Sequence, residues 1–227
     1  SIFFYYVQYI LNNYIMNASD SFLIFFIGSI GVYFLYYFYN SILNYFSSSY
    51  KNIKEKSIKY YILSNLIKSS LLFIYTPNAF YILYKTIYCN EWNNIEIKNM
   101  GSLYAIPDFV SLFMVKNMHR STKIHHLLVV FFYLSNLLND YRNMNIFRPP
   151  VIYTIFSTFS YTVNFILASR FLNLNKIKDK ILPYIFVLYL TCCSINWTWN
   201  IYYIYKLIQI NNHFTIYLYI LFISFIV

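Results

Sequence analysis

The sequence predicts an all-α protein, a polytopic membrane helical bundle of about six to seven transmembrane helices. Three observations predict it. First, the chain is 59% hydrophobic and only 11% charged, with a mean hydropathy of +0.49, whereas soluble domains carry roughly 25% charged residues. Second, the apolar residues fall in long runs separated by short polar loops. Third, those runs do not alternate apolar with polar residues, as strands of a membrane barrel would. Helices are then the spanning elements, because a helix satisfies its own backbone in lipid.

Residues 2–16 are apolar but interrupted by Asn12 and Asn13, which predicts a peripheral helix or partial span over 1–19 ahead of a single core domain over 20–227. The first clear span is 22–46. The second, 60–84, carries Lys68 and a predicted kink at Pro77. The third, 101–116, is short and contains Pro107 and Asp108. The fourth, 125–139, opens on His125 and His126. Pro149 and Pro150 start a fifth that runs to Ala168, since proline is well tolerated at a helix start. Pro183 opens a sixth, to about Tyr205, and a seventh run covers 214–227. The chain opens at Ser1 and stops inside an apolar run, the pattern expected of a piece of a longer protein.

The loop charges alternate. Loop 50–59 (Lys51, Lys54, Lys56 and Lys59 against Glu55), loop 116–124 (Lys116, Arg120 and Lys123) and loop 169–180 (Arg170, Lys176, Lys178 and Lys180 against Asp179) each carry a net +3. Loop 85–100 is neutral and loop 140–149 carries +1. Lysine and arginine concentrate on cytosolic loops, so these three basic loops are expected in the cytosol. The same distribution accounts for the overall charge of +10 through orientation in the membrane, and no nucleic-acid partner is expected.

Few residues in such a chain can do chemistry. Lys68 and Asp108 each lie some eight residues from the basic end of their spans, on the order of 12 Å deep. A charge at such a place costs roughly 2.5–3.5 kcal/mol to insert. Both are therefore expected to face the bundle interior, as an ion pair or beside a wet cavity. His125 and His126 point about 100° apart on a helix, so at most one faces the line of Asp108. Imidazole there acts as a proton acceptor or donor, or as a polar cap where the chain re-enters the membrane. No metal site is expected: the histidines number four (His119, His125, His126 and His213), and no carboxylate lies near them in sequence. That is too few for a histidine-box oxygenase, and His119 is too far from the pair for an elongase-type box. Three glycines make no phosphate loop, no serine sits in a nucleophile elbow, and Cys89, Cys192 and Cys193 make no disulfide framework. No bound cofactor is expected. Tyrosine and asparagine are discounted as functional signals, because with Phe, Ile and Lys they follow AT-rich codons. Trp92, Trp197 and Trp199 read as interface belts or packing.

The order of these features resembles the TLC domain, the domain of ceramide synthases, translocon-associated TRAM proteins and several lipid-linked membrane proteins. Gly101, Tyr104 and Asp108 in G-S-L-Y-A-I-P-D-F (101–109), followed by His125 and His126, match its pattern of Gly-Tyr-x-x-x-Asp-Leu, a spacer and His-His. The resemblance implies a bundle around a lipid-sized cavity, in the endoplasmic reticulum or a related endomembrane, with membrane lipids as partners. Ceramide synthases carry a further His-Asp signature after the histidine pair. Here the next histidine is His213, so the chain resembles the non-synthase members more closely. Membrane lipid binding, sensing or homeostasis is the function implied. The alternative is N-acyl transfer from acyl-CoA, as co-substrate, to a sphingoid base, with His125, His126 and Asp108 as catalytic residues. A second alternative is a transporter lined by Lys68 and Asp108.

Overall fold

The computed structural model describes residues 2–172 and 175–210, together with 216, 217 and 220; side chains are described from Ala18 onward in the first helix and from Asp179 onward in the last long one. His213, the side chains of Lys176 and Lys178, and most of the apolar run 214–227 lie outside the described residues. The described chain forms helices and no strand. They are α1 (Ile2–Phe46), α2 (Ser48–Lys51), α3 (Lys56–Leu83), which runs into a π-helical turn (Tyr84–Tyr88), α4 (Asn94–Met114), α5 (Arg120–Asn136), α6 (Arg148–Phe159), α7 (Tyr161–Ser169) and α8 (Asn175–Ile210).

Three segments are long and apolar enough to cross a membrane: Ala18–Phe46, Lys56–Tyr88 and Asp179–Ile210. At 29, 33 and 32 residues each exceeds the ~20 needed to traverse a hydrocarbon core. The pair α6 and α7 makes a fourth only if counted as one bent span. By length and composition, then, three or four candidate spans stand among the described residues, fewer than the six to seven expected. α5 is only 17 residues and opens on R-S-T-K-I-H-H, while α4 starts with the polar stretch N-I-E-I-K-N. Large apolar side chains cover the outside of the long helices, among them Phe22, Phe26 and Phe34 on α1, Phe73 and Ile74 on α3, and Phe186 and Val187 on α8. An apolar surface this extensive is compatible with an integral membrane protein.

Several boundaries differ from the sequence reading, each for a local reason. Asn12 and Asn13 do not interrupt α1, since asparagine only weakly disfavours a helix interior. α4 begins seven residues before the expected third span, because the Asn93 side chain accepts hydrogen bonds from the backbone N–H groups of Ile95 and Glu96. Pro183 lies inside α8 instead of opening it, and Pro77 and Pro107 likewise sit within helices. Pro149 and Pro150 do open α6. The fifth run, however, breaks at Ser160 with a bend of 48°. Thr154, Thr158 and Ser160 all turn their hydroxyls back onto carbonyls four residues earlier, a bonding pattern that bends helices.

α1 and α4 run parallel: Ser21, midway along α1, bonds Asn99 near the start of α4, and Phe25 packs on Phe109 further along. They approach closely at Gly28, where an added Cβ would lie 2.5 Å from the tip of Ile106. α3 runs back against both, held to α1 by Tyr39 to Ser70 and, near its start, by Lys59 to Asn44, and to α4 by Lys68 to Asp108. α6 and α7 pack antiparallel to α3, with Phe80 on Phe159, Phe73 on Tyr161 and Arg170 bonded to Tyr61. The basic segments 50–59 and 116–124 and Arg170 therefore gather at one end of the molecule. The opposite end is closed by the loop 137–147, where Asn94 donates to Asp140 and Arg148 bonds the carbonyls of Tyr141 and Arg142 while lying 4.2 Å over Trp92. Among the described residues, two large apolar cores fill the interior, one around Tyr36, Leu63, Ile67 and Val110, the other around Ile82, Met100, Ile152 and Ile155, with a smaller third at Tyr203, Leu207 and Ile216.

This arrangement is checked by cysteine labelling in sealed vesicles. In a chain lacking Cys89, Cys192 and Cys193, cysteines placed at the exposed positions Asn52 and Asn117 should react with an impermeant maleimide from one face and a cysteine at Asn143 from the other. Labelling of Asn52 and Asn117 from opposite faces would refute it.

Candidate functional site

The site is built on the hairpin of α4 and α5. A short turn, 115–119, folds α5 back along α4, so residues near the end of one face residues near the start of the other. The register is pinned by hydroxyls. The Ser102 hydroxyl on α4 and the Tyr133 hydroxyl on α5 lie 3.0 Å apart, and each is 2.9 Å from the Ser21 carbonyl oxygen on α1. Six residues further along α4 and seven back along α5, this register sets Asp108 beside His126.

Asp108 is fully buried. Lys68 on α3 places its ammonium Nζ 2.6 Å from Asp108 Oδ1, and the same ammonium lies 5.2 Å over the ring of Tyr104. His126 Nδ1 is 2.8 Å from the same oxygen, but off the axis that an aligned N–H donor requires, so it makes no formed hydrogen bond there. Asp108 Oδ2 is buried and has no hydrogen-bond partner. His125 is half-buried beside its neighbour, ring centroids 5.7 Å apart and planes 60° apart. One donor atom each from Asp108, His125 and His126 lies within 4.8 Å of the others. Two imidazoles and a carboxylate on facing helices can thus hold a metal ion, although sequence separation hid the carboxylate from the histidines.

A pocket of about 130 Å³ adjoins this cluster. Its walls come from α4, α5, α6 and α8, and include Tyr104, Val129, Phe132, Tyr133, Val151, Tyr153 and Trp197, with Asn136, Asn196 and Asn200 among the polar groups. His125 lines it; Lys68, Asp108 and His126 do not. Along α5 it reaches from His125 to Leu137, 12 residues or about 18 Å. It is elongated but small, since ligand pockets commonly enclose roughly 300–1,000 Å³. No lipid-sized cavity is therefore seen at this site among the described residues, and aromatic side chains crowd the space.

The candidate residues divide accordingly. Lys68, Asp108 and His126 touch, and His125 joins them to the pocket. His119 stays on the exposed turn, bonded to Ser121. Four residues gain a place that the sequence reading withheld: Asn136, Asn196 and Asn200 were set aside with the other asparagines, and Trp197 was read as belt or packing. A signal was present. Residues 125, 129, 132 and 136 recur at helical spacing on one face of α5, and 196 and 200 are one turn apart on α8.

Compared with family models, with curated proteins and with solved structures, the chain matches none.

The buried pair predicts a non-additive mutant cycle. Asp108→Asn leaves the Lys68 ammonium buried and unpaired and should cost about 3–5 kcal/mol, whereas Lys68→Met together with Asp108→Asn should recover most of that loss. Thermal unfolding in detergent measures both. A double variant no more stable than Asp108→Asn would show that the two charges act independently.

Proposed function

We propose that the chain is a multi-pass membrane protein of TLC type that binds a membrane lipid and serves membrane lipid sensing or homeostasis. In this reading α4 and α5 complete a bundle of six to seven crossings in an endomembrane such as the endoplasmic reticulum, with the basic end cytosolic. One observation carries it: an elongated, mainly apolar pocket ends at His125, and a buried carboxylate, ammonium and second imidazole stand behind that residue. An apolar slot with a few convergent polar groups is the ordinary form of a site for a chain-bearing ligand. Its small volume suits one tail, admitted as the aromatic walls yield, with the headgroup at the histidine end.

The second reading, N-acyl transfer from acyl-CoA to a sphingoid base, draws on a more specific feature. One imidazole, His125, meets the pocket, while His126 and Asp108 lie behind it where they could orient a proton transfer. In that reading His125 contacts the acyl group, and the basic end attracts the CoA phosphates. Nothing favours the transporter reading, since Lys68 and Asp108 pair away from the pocket.

A photoactivatable sphingoid-base or phospholipid probe in nanodiscs tests lipid binding. Val129→Trp fills the slot and should cut crosslinking roughly ten-fold, equivalent to about 1.4 kcal/mol, whereas the outward Ser135→Trp should leave it unchanged. Equal crosslinking in the two variants sinks the proposal. Labelled acyl-CoA with a sphingoid base separates the readings: product that His125→Ala abolishes identifies the transferase, and no product leaves the binder.

A further inference from the structure

We propose that Asp108, His126 and His125 form a binding site for a divalent transition cation of the Zn²⁺ type, with the open coordination position facing the pocket. Lipid binding and metal binding are independent claims, and either can fail alone.

The donor set is the first argument. Two imidazoles and one carboxylate form a common three-ligand set, one that leaves a position for water or substrate. One donor atom from each residue falls within 4.8 Å of the others. Ligands at tetrahedral zinc lie about 3.4 Å apart, as follows from bond lengths of ~2.0–2.2 Å. Any separation between 3.4 Å and that 4.8 Å limit must therefore close on binding. Rotation of His125 supplies that movement, because it is half-buried and borders the pocket.

The second argument is independent of the spacing. Asp108 Oδ2 is buried with no hydrogen-bond partner, and the buried His126 Nδ1 has only a misaligned 2.8 Å contact to Asp108 Oδ1. Buried polar atoms are normally satisfied, so two such atoms on one cluster need a partner. A cation between them serves both. Lys68 does not compete for the same atom, since its ammonium occupies Oδ1 and leaves Oδ2 free. Hydrogen bonding to the far oxygen of a ligating carboxylate is the usual outer support of a metal site.

Charge then says what fills the open position. A dication beside one carboxylate, one ammonium and two neutral imidazoles has a net charge of +2 in an apolar interior. Hydroxide, or an anionic headgroup entering from the pocket, offsets part of it. Zn²⁺ is preferred over Fe²⁺ because N/O sites bind it more tightly.

The test uses the full chain purified in detergent without chelator. Zn²⁺ is titrated against a chromophoric competitor, and bound metal is counted by mass spectrometry. The expected result is one Zn²⁺ per chain, unchanged in His119→Ala and weakened roughly ten-fold or more in His125→Ala, at least the loss seen when an outer partner of a metal site is removed. Unaltered binding in His125→Ala, or none above the level of a chelator-treated blank, overturns the proposal. Co²⁺ loading of the unmutated chain gives a reading that does not depend on any variant folding. Intense visible bands mark a tetrahedral protein site, and the weak spectrum of hydrated Co²⁺ alone overturns it.

Discussion

The burial of one carboxylate governs this structure. Asp108 sits fully enclosed between apolar helices, where an uncompensated charge would neutralise or force the site open. Its partners come from two other helices: Lys68 on α3 pairs with it, and His126 on α5 lies 2.8 Å from the same oxygen. Each partner is useful only at one helix register. The hydroxyls of Ser102 and Tyr133 supply that register at the far end of the hairpin, by meeting on the Ser21 carbonyl. The polar cluster and the hydroxyl network are thus two ends of one constraint on how α1, α3, α4 and α5 may slide.

Much of this was legible in the chain and some was not. Helical class follows from runs that lack alternation, and the gathering of basic segments follows from loop charge. Lys68 and Asp108 could be matched by counting depth along two helices. The histidine pair could not be joined to Asp108 by spacing alone, because the register of a hairpin depends on hydroxyl contacts that have no periodic signature. Helix limits were harder still. Asn93 starts α4 through a side-chain cap, and Pro183 sits inside a helix it was expected to open, since neighbouring structure decides whether a proline ends a helix or is carried within it. The asparagines at 136, 196 and 200 were obscured by composition. In a chain rich in asparagine, only placement distinguishes those that line a pocket.

The pocket and the cluster also divide the labour of the two histidines. Adjacent residues on a helix cannot share a direction, so one imidazole is spent on the buried carboxylate and the other is left for whatever enters. His126 takes the first role and His125 the second. A doublet in sequence therefore becomes an inside member and an outside member, linked through 5.7 Å between ring centres.

The marginal apolarity of α4 has a consequence for biogenesis. Asp108 taxes a helix that is already polar at its start, and the compensating ammonium belongs to α3, made earlier in the chain. Synthesis from N- to C-terminus delivers Lys68 before its partner, so that α4 meets a waiting countercharge as it emerges. α5, made last of the three, then brings His126 against the same oxygen. Order of synthesis in this way does for α4 what its own composition does not, and a rearranged chain presenting α4 ahead of α3 would lose that help while keeping every residue.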